Sequence, residues 1–342
     1  MSEPCLVVLS RRGRDSLPAK CRAELNRLAD ARYVRCDGRL SQGEAATVLA
    51  DADLLGATNL CLPTLDAELL DRLPRLRGIV LYATGYDHLN VPLLRSYGIE
   101  LSVLPRYATT AVAEHALAML LALATRLHLA NDRSRGACNP DVSLRGIELS
   151  GRTLGVVGVG RIGRHVARLA RSLGMQVAGT DVDPRAVLRA RASAIRMGRL
   201  DWLLARSDVV AVCASHRFEG APLLGPSELA MMRPGALLVN VARAGLVDTD
   251  AVITAVRAGR LRGYAVDDTV VDAARNGDLL AEGRVLQTGH SAWWRDEVIE
   301  RGARMWGERL VAAVRGRPLD VVTGRRTTRQ NVAAETLTRT VR

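Results

Sequence analysis

Aromatic side chains are scarce in this chain of 342 residues: Phe, Trp and Tyr together make up 3%, and Lys20 is the sole lysine. A binder of single-stranded nucleic acid needs aromatic platforms set among basic residues, and no such interleaving occurs. The core must instead be built from Leu, Val and Ala, within a hydrophobic content of 48%. No uninterrupted apolar stretch reaches membrane-spanning length. Residues 111–124 come nearest, but they carry Glu114 and His115 and read as a buried helix. The polar residues 1–4 and the short apolar run that follows make no secretory signal, so a cytoplasmic protein without membrane contact is expected. The six cysteines, at 5, 21, 36, 61, 138 and 213, contain no C-x-x-C pair. That argues for reduced thiols and against a disulfide framework or a metal site.

Acidic residues are also in deficit. The formal charge is +12, carried almost wholly by arginine. Five arginines against one glutamate in residues 325–342 give that polar stretch a net +4, and it reads as a disordered basic tail. The remaining positive charge is spread along helices rather than gathered in a patch. Nucleic acid is therefore not expected as the partner, and arginine in place of lysine reads as the bias of a GC-rich genome.

The length suits two domains. Strand patterns at 6–9, 33–35, 59–62, 78–81 and 100–103 alternate with helix patterns at 18–28, 42–50, 66–71 and 91–97. A long helix over 110–128 precedes a second alternating series, with strands at 154–157, 176–179, 209–212, 236–241, 263–266 and 285–287. A last helix covers about 296–315. This is an α/β chain of two doubly wound, mostly parallel sheets.

The most telling segment is Leu154-Gly-Val-Val-Gly-Val-Gly-Arg-Ile-Gly163. Gly158, Gly160 and Gly163 form a G-x-G-x-x-G between a strand pattern and a helix pattern. The first permits the tight turn, the second lets backbone approach a pyrophosphate, and the third lets helix pack on strand. The N–H groups around Arg161 and Ile162 then face the phosphates at the positive end of the helix dipole. Asp181, about 20 residues past the loop, suits the two hydroxyls of an adenosine ribose. A carboxylate there would repel a 2′-phosphate, so NAD rather than NADP is the expected cofactor.

Four further residues follow predicted strands or lie just beyond them: Arg243, Asp267, Asp272 and His290. Open α/β sheets bind ligands at such strand ends. A guanidinium can hold a carboxylate and polarise a carbonyl oxygen. An imidazole can move the hydroxyl proton near neutral pH, and a carboxylate can orient it.

The chain resembles the D-isomer-specific 2-hydroxyacid dehydrogenases over nearly its whole length, to about Val322. The resemblance rests on Ala83-Thr-Gly-Tyr-Asp87, Ala111-Val-Ala-Glu-His-Ala-Leu117, the glycine loop with Asp181, and Ser207-Asp-Val-Val210. It continues through Arg233-Pro-Gly-Ala236, Asn240-Val-Ala-Arg-Ala-Gly-Leu-Val-Asp248, Asp267, and His290-Ser-Ala-Trp293. Pro105-Arg-Tyr107, Glu114-His-Ala116 and His290-x-x-Trp293 look most like the branch of C-terminal-binding-protein-like dehydrogenases. The resemblance implies a Rossmann NAD domain, 102–291, inserted in a flavodoxin-like substrate domain, 1–101 with 292–324, and a homodimer. It implies that Arg243 is the catalytic arginine, His290 the acid/base, and Asp272 the carboxylate that keeps His290 cationic. Asp267 would accept the nicotinamide carboxamide, and Thr110 would join the cofactor residues. Ala83, Thr84 and Gly85 would hold the substrate carboxylate, while Tyr82, Arg106 and Trp293 would shape the substrate site. An inward Arg106 would suit a substrate with a second anionic group.

Several positions depart from the family pattern. Asp272 is one methylene shorter than the usual glutamate, and Ala273 stands where proline is expected. Gly289 replaces the proline before the histidine, Ala244 the glycine after the arginine, Asp268 a hydrophobic residue, and Cys213-Ala-Ser215 the usual His-x-Pro. The reading is an NAD-dependent oxidoreductase interconverting a 2-oxo acid and a D-2-hydroxy acid. Two alternatives are an NAD(H)-sensing, corepressor-like interaction protein and an enzyme oxidising phosphite or a phosphonate.

Overall fold

A computed structural model describes residues 3–215, 220–317 and 322. The chain divides into two compact units, Met1–Tyr107 with Asp296–Arg342, and Ala108–Arg295. The joins thus fall a few residues beyond 101/102 and 291/292, and the tail expected over 325–342 lies outside the described residues.

The first unit holds a five-stranded parallel sheet of β1 (Cys5–Ser10), β2 (Asp30–Arg35), β3 (Leu54–Thr58), β4 (Gly78–Tyr82) and β5 (Glu100–Ser102). Between them run α1 (Ala19–Leu28), α2 (Gln42–Val48), α3 (Ala67–Asp71) and α4 (Val91–Ser96). The order β2-β1-β3-β4-β5 is the flavodoxin-like one. Every residue of β1 is buried, as a parallel strand covered on both faces requires. Ser41, Asp66 and Asn90 start α2, α3 and α4 by accepting otherwise unpartnered N–H groups of the first turn.

The second unit begins with α5 (Thr109–Thr125) and α6 (Leu127–Ser134). One helix was expected over 110–128. Arg126 takes a left-handed conformation, φ 56°, ends α5, and turns α6 away by 63°. There follow β6 (Thr153–Val157), α7 (Arg161–Ser172), β7 (Gln176–Thr180), α8 (Pro184–Ala192), β8 (Arg196–Met197), α9 (Leu200–Leu204) and β9 (Val209–Val212). The series closes with α10 (Pro226–Met231), β10 (Ala236–Asn240), α11 (Thr249–Arg257), β11 (Leu261–Val266), α12 (Ala273–Ala281) and β12 (Val285–Gln287). All seven strands are parallel, in the order β12-β11-β10-β9-β6-β7-β8, and the direction of winding reverses between β6 and β9. Side-chain alternation serves two cores at once. Val209 and Ala211 pack into the layer that holds α5 and α7, while Val210 and Val212 pack into the layer that holds α11.

The chain then returns to the first unit as α13 (Asp296–Val314). Trp306 is fully buried there, and its indole Nε1 donates to the Val80 carbonyl of β4 at 2.9 Å. Two glycines let the helix close in: a Cβ at Gly302 would strike the Tyr82 hydroxyl, and one at Gly307 the Cys21 thiol. The same approach explains a misplaced strand. A strand was expected over 59–62, but β3 lies at Leu54–Thr58 and 59–62 is the turn after it. Gly56, a poor strand former, occupies its centre, where a Cβ would press on the Leu310 side chain of α13 at 2.9 Å. Among the described residues, no single helix is long and apolar enough to cross a membrane.

Candidate active site

The strand register gathers the site in the second unit. Thr180, Val157, Val212, Asn240, Val266 and Gln287 pair in one line across six neighbouring strands. Each is the last residue of its strand. Asp181, Gly158, Cys213, the loop to Arg243, Asp267 and the loop to His290 therefore leave the same carboxyl edge. At about 4.8 Å per strand, the loop after β6 lies roughly 10–15 Å from the ends of β10 and β11.

The glycine loop is held open by geometry. Gly158 has φ +88°, and a Cβ there would lie 2.5 Å from the Ala214 backbone beyond β9. A Cβ at Gly163 would collide with the Gly158 carbonyl oxygen, so only glycine lets α7 start this close to β6. Gly160 differs, because a Cβ there would meet nothing within 4 Å. Its space is open, and it begins a twelve-residue helix with no side-chain cap and no acid in the first turn. The first-turn N–H groups of a helix that starts this way, that of Ile162 among them, point toward an anion at its positive end. These features fit the diphosphate of a dinucleotide. Asp181 accepts from Val159 N at 2.8 Å and from Asp183 N at 2.9 Å, which ties the end of β7 to the loop. Each carboxylate oxygen keeps capacity for a hydroxyl donor.

Arg243 follows β10 and is half-buried. Its loop is braced by Asn240, whose amide donates to the Arg243 carbonyl at 2.7 Å and accepts from Ala242 N at 3.0 Å. The guanidinium itself donates to the Ala242 carbonyl at 2.8 Å.

The two carboxylates sit in different settings. Asp267 is 7% exposed. Its Oδ1 accepts the Thr288 hydroxyl at 2.8 Å and Ser291 N at 2.8 Å, and Ala292 N lies 3.3 and 3.2 Å from its two oxygens. Most of these bonds load Oδ1, and Oδ2 keeps acceptor capacity for a further donor such as a carboxamide. Asp272 caps α12: it accepts from Ala274 N at 2.8 Å and pairs with Arg275 at 3.6 Å, with its side chain 55% exposed. Among the described residues no hydrogen bond or ion pair joins it to His290. The shorter side chain and the missing proline at 273 explain this, since aspartate is a preferred helix cap. His290 is exposed and left-handed, φ +59°, directly after Gly289 at φ +60°. Proline could not adopt that angle at 289. A left-handed non-glycine residue costs about 1–2 kcal/mol, and it persists where surrounding contacts over-determine it.

In the sequence His115 stands as a polar break in an apolar helix and as part of two family motifs, with no role of its own. On α5 its Nε2 lies 3.0 Å from the Thr288 hydroxyl and 3.7 Å from Asp267 Oδ1, and its Nδ1 lies 3.2 Å from Arg295 Nη2. The Thr288 proton points to Asp267, so Thr288 must accept from His115 Nε2–H. Arg295 can only donate, so Nδ1 accepts. Burial holds this imidazole below its ordinary pKa; Asp267 opposes that, and Arg295 adds to it. The neutral ring with its proton on Nε2 satisfies every partner. The signal for it was a titratable group on the core face of a helix, but its partner strand could not be named without the fold.

The other expected residues fall in both units. In the first, Tyr82 packs against Tyr107 and Trp306 at 5.4 and 5.3 Å. Its hydroxyl donates to the Ile299 carbonyl of α13 at 3.2 Å, and burial raises its pKa to about 12. It is a brace for α13 rather than a free wall. Ala83 is buried and its carbonyl accepts from Leu104 N at 2.8 Å, while the Thr84 hydroxyl donates to the Leu104 carbonyl at 2.8 Å. Gly85 is half-buried and Arg106 exposed. In the second unit, Thr110 is exposed on the first turn of α5, and Trp293 is half-buried edge-on to Trp294 at 5.0 Å.

A parallel sheet wound in this order, an uncapped helix behind a glycine loop and an acid on the next strand define an NAD-binding dehydrogenase domain. Comparison with known proteins carries this further. The NAD binding domain of the D-isomer specific 2-hydroxyacid dehydrogenases matches residues 117–292. A glyoxylate reductase of Aeropyrum pernix is 33% identical over 74% of this chain and 78% of its own. A D-3-phosphoglycerate dehydrogenase of Mycobacterium leprae is 33% identical over 80% of this chain and 51% of its own. The D-lactate dehydrogenase of Aquifex aeolicus, solved with NAD and lactic acid, superposes with a TM-score of 0.74 at 27% identity, covering 94% of this chain and 99% of that one. The chain belongs to the D-isomer-specific 2-hydroxyacid dehydrogenase family, and it is an NAD-dependent oxidoreductase.

Proposed function

We propose that this enzyme reduces a small 2-oxo acid to the D-2-hydroxy acid, and can run the reverse, with Arg243 and His290 as its catalytic residues. Bound NADH supplies the hydride that reduces the C2 carbonyl. Arg243 binds the substrate and neutralises charge growing on the carbonyl oxygen. His290, protonated, gives its proton to that oxygen; in the reverse direction the neutral ring takes it back. Asp272 has no part beyond capping α12. The observation that carries this reading is the single line of paired strand ends from Thr180 to Gln287, which sends the cofactor loop, Arg243 and the His290 segment off one edge.

The relatives act, by their names, on glyoxylate, 3-phosphoglycerate and lactate, so small 2-oxo acids with and without a second anionic group are the panel to test. Exposed Arg106 is the candidate contact for a second anion. On the same reading the enzyme works as a homodimer, which light scattering on the purified chain checks. The decisive assay is NADH consumption across the panel with the wild type, Arg243→Ala and His290→Ala. Each variant should lose about 100-fold or more in kcat while keeping its NADH affinity and melting temperature. A panel in which nothing is reduced, or a variant with wild-type turnover, overturns the proposal.

A further inference from the structure

Among the described residues no hydrogen bond or ion pair joins His290 to the carboxylate expected to orient it, yet its backbone sits in a conformation that needs support. The support is visible on both sides. Thr288, two residues before, and Ser291 and Ala292, directly after, all donate to the buried carboxylate of Asp267. Asp267 is therefore the post on which the His290 turn is hung. Its Thr288 link is completed from another element, because His115 on α5 donates through Nε2 to the Thr288 oxygen. Arg295 fixes the ring from the other side through Nδ1 and is itself held by the carbonyls of Ser291 and Trp294. The chain His115–Thr288–Asp267–Ser291 thus holds the backbone on both sides of His290.

We propose that His115 is a positioning residue for hydride transfer: acting through Thr288 and Asp267, it fixes the left-handed turn that presents His290 at the end of β12. This rests on the assignment of His290 as the acid/base above. It also accounts for two departures from the family pattern together. Gly289 permits a turn that proline forbids. With the turn secured through Asp267, the residue at 272 is released to cap a helix. A proton donor displaced by even about 1 Å from its acceptor loses on the order of 100-fold in rate, so the scaffold around such a group carries catalytic weight without contacting substrate.

The test uses the full chain with NADH and the 2-oxo acid it reduces fastest. His115→Ala should lower kcat about 10- to 100-fold, leave KM for NADH within about twofold, and leave the melting temperature close to wild type. His115→Gln, whose amide can donate to Thr288 from much the same place, should restore kcat to within a few-fold. Thr288→Val should match His115→Ala, and the double variant should be no worse than either alone, since both break one chain. If His290→Ala is inactive while His115→Ala turns over normally, the positioning role is wrong and the assignment of His290 stands. Additive losses in the double variant, or no rescue by glutamine, overturn the positioning role as well. If His290→Ala keeps wild-type turnover, the assignment of His290 falls and takes this proposal with it.

Discussion

Replacing Asp272 separates two roles that one carboxylate could have. As a helix cap, it provides one hydrogen bond to Ala274 N at 2.8 Å and a negative charge at the start of α12. Loss of an N-cap costs about 1 kcal/mol, and the charge at the helix terminus adds about 0.3–1 kcal/mol. The ion pair with Arg275 adds little, because its side chains are 86% and 55% exposed and such pairs are worth about 0–1 kcal/mol. Asp272→Ala should therefore destabilise by about 1–2 kcal/mol, a few degrees in melting temperature for a unit of this size. Asp272→Asn keeps a capping oxygen and loses only the charge, so its cost should stay near 0.5 kcal/mol. Neither change should alter kcat more than about twofold, because among the described residues no hydrogen bond or ion pair joins Asp272 to His290. Steady-state NADH consumption and thermal melts on the same samples measure both effects. A 100-fold fall in kcat for Asp272→Asn with an unchanged melting temperature would refute the argument, since it would mean that the carboxylate serves the imidazole during turnover.

The remaining predictions address the cofactor loop, the return helix and pH. Gly160→Ala should melt like wild type, because its Cβ enters open space, yet raise KM for NADH at least about tenfold by filling the diphosphate cradle; unchanged KM would place the diphosphate elsewhere. Gly163→Ala should instead lose about 1–3 kcal/mol of stability, read by denaturant titration, because its Cβ meets the Gly158 carbonyl. Trp306→Ala should cost about 3–5 kcal/mol by the same measurement and expose the first unit to proteolysis before the second. His115, His128 and His165 are all held below the ordinary imidazole value, chiefly by burial. The folded state then resists protons that the unfolded chain takes up, so stability is full above about pH 6.5 and falls as pH drops below it. Burial is the first cause of the lowered value at His128, so His128→Met should flatten that fall in melting temperature; an equally steep fall would remove His128 as its source.

Most of the fold was legible because parallel strands buried on both faces write themselves as short apolar runs, and the runs at 209–212 and 285–287 match β9 and β12 residue for residue. Legibility failed where a distant element decided the local structure. β3 is centred on Gly56, which reads as a turn residue until Leu310 is known to lie over it. The break at Arg126 needs a left-handed arginine, which no local pattern announces. The same divide runs through the site. The glycine loop carries its geometry in its own ten residues, whereas the role of His115 depends on Thr288, 173 positions away. Asp272 carries two signals at once: its place in the family pattern points to His290, while its local chemistry, an aspartate opening a helix, makes it a cap in the structure.

The Trp306–Val80 hydrogen bond spans 226 residues of chain. The first unit cannot finish its sheet when its own strands have been made, because the helix that covers β3 and β4 is encoded after the whole of the second unit. Closing a coil of that length costs about 5 kcal/mol of chain entropy, which an already folded intervening unit would reduce by removing most of the coil. The order of assembly is then set by gene order: on a ribosome the second unit can fold while the first waits with an exposed apolar sheet face. Slow or interrupted synthesis just before α13 should leave that face open to aggregation, although every strand of both sheets is already present.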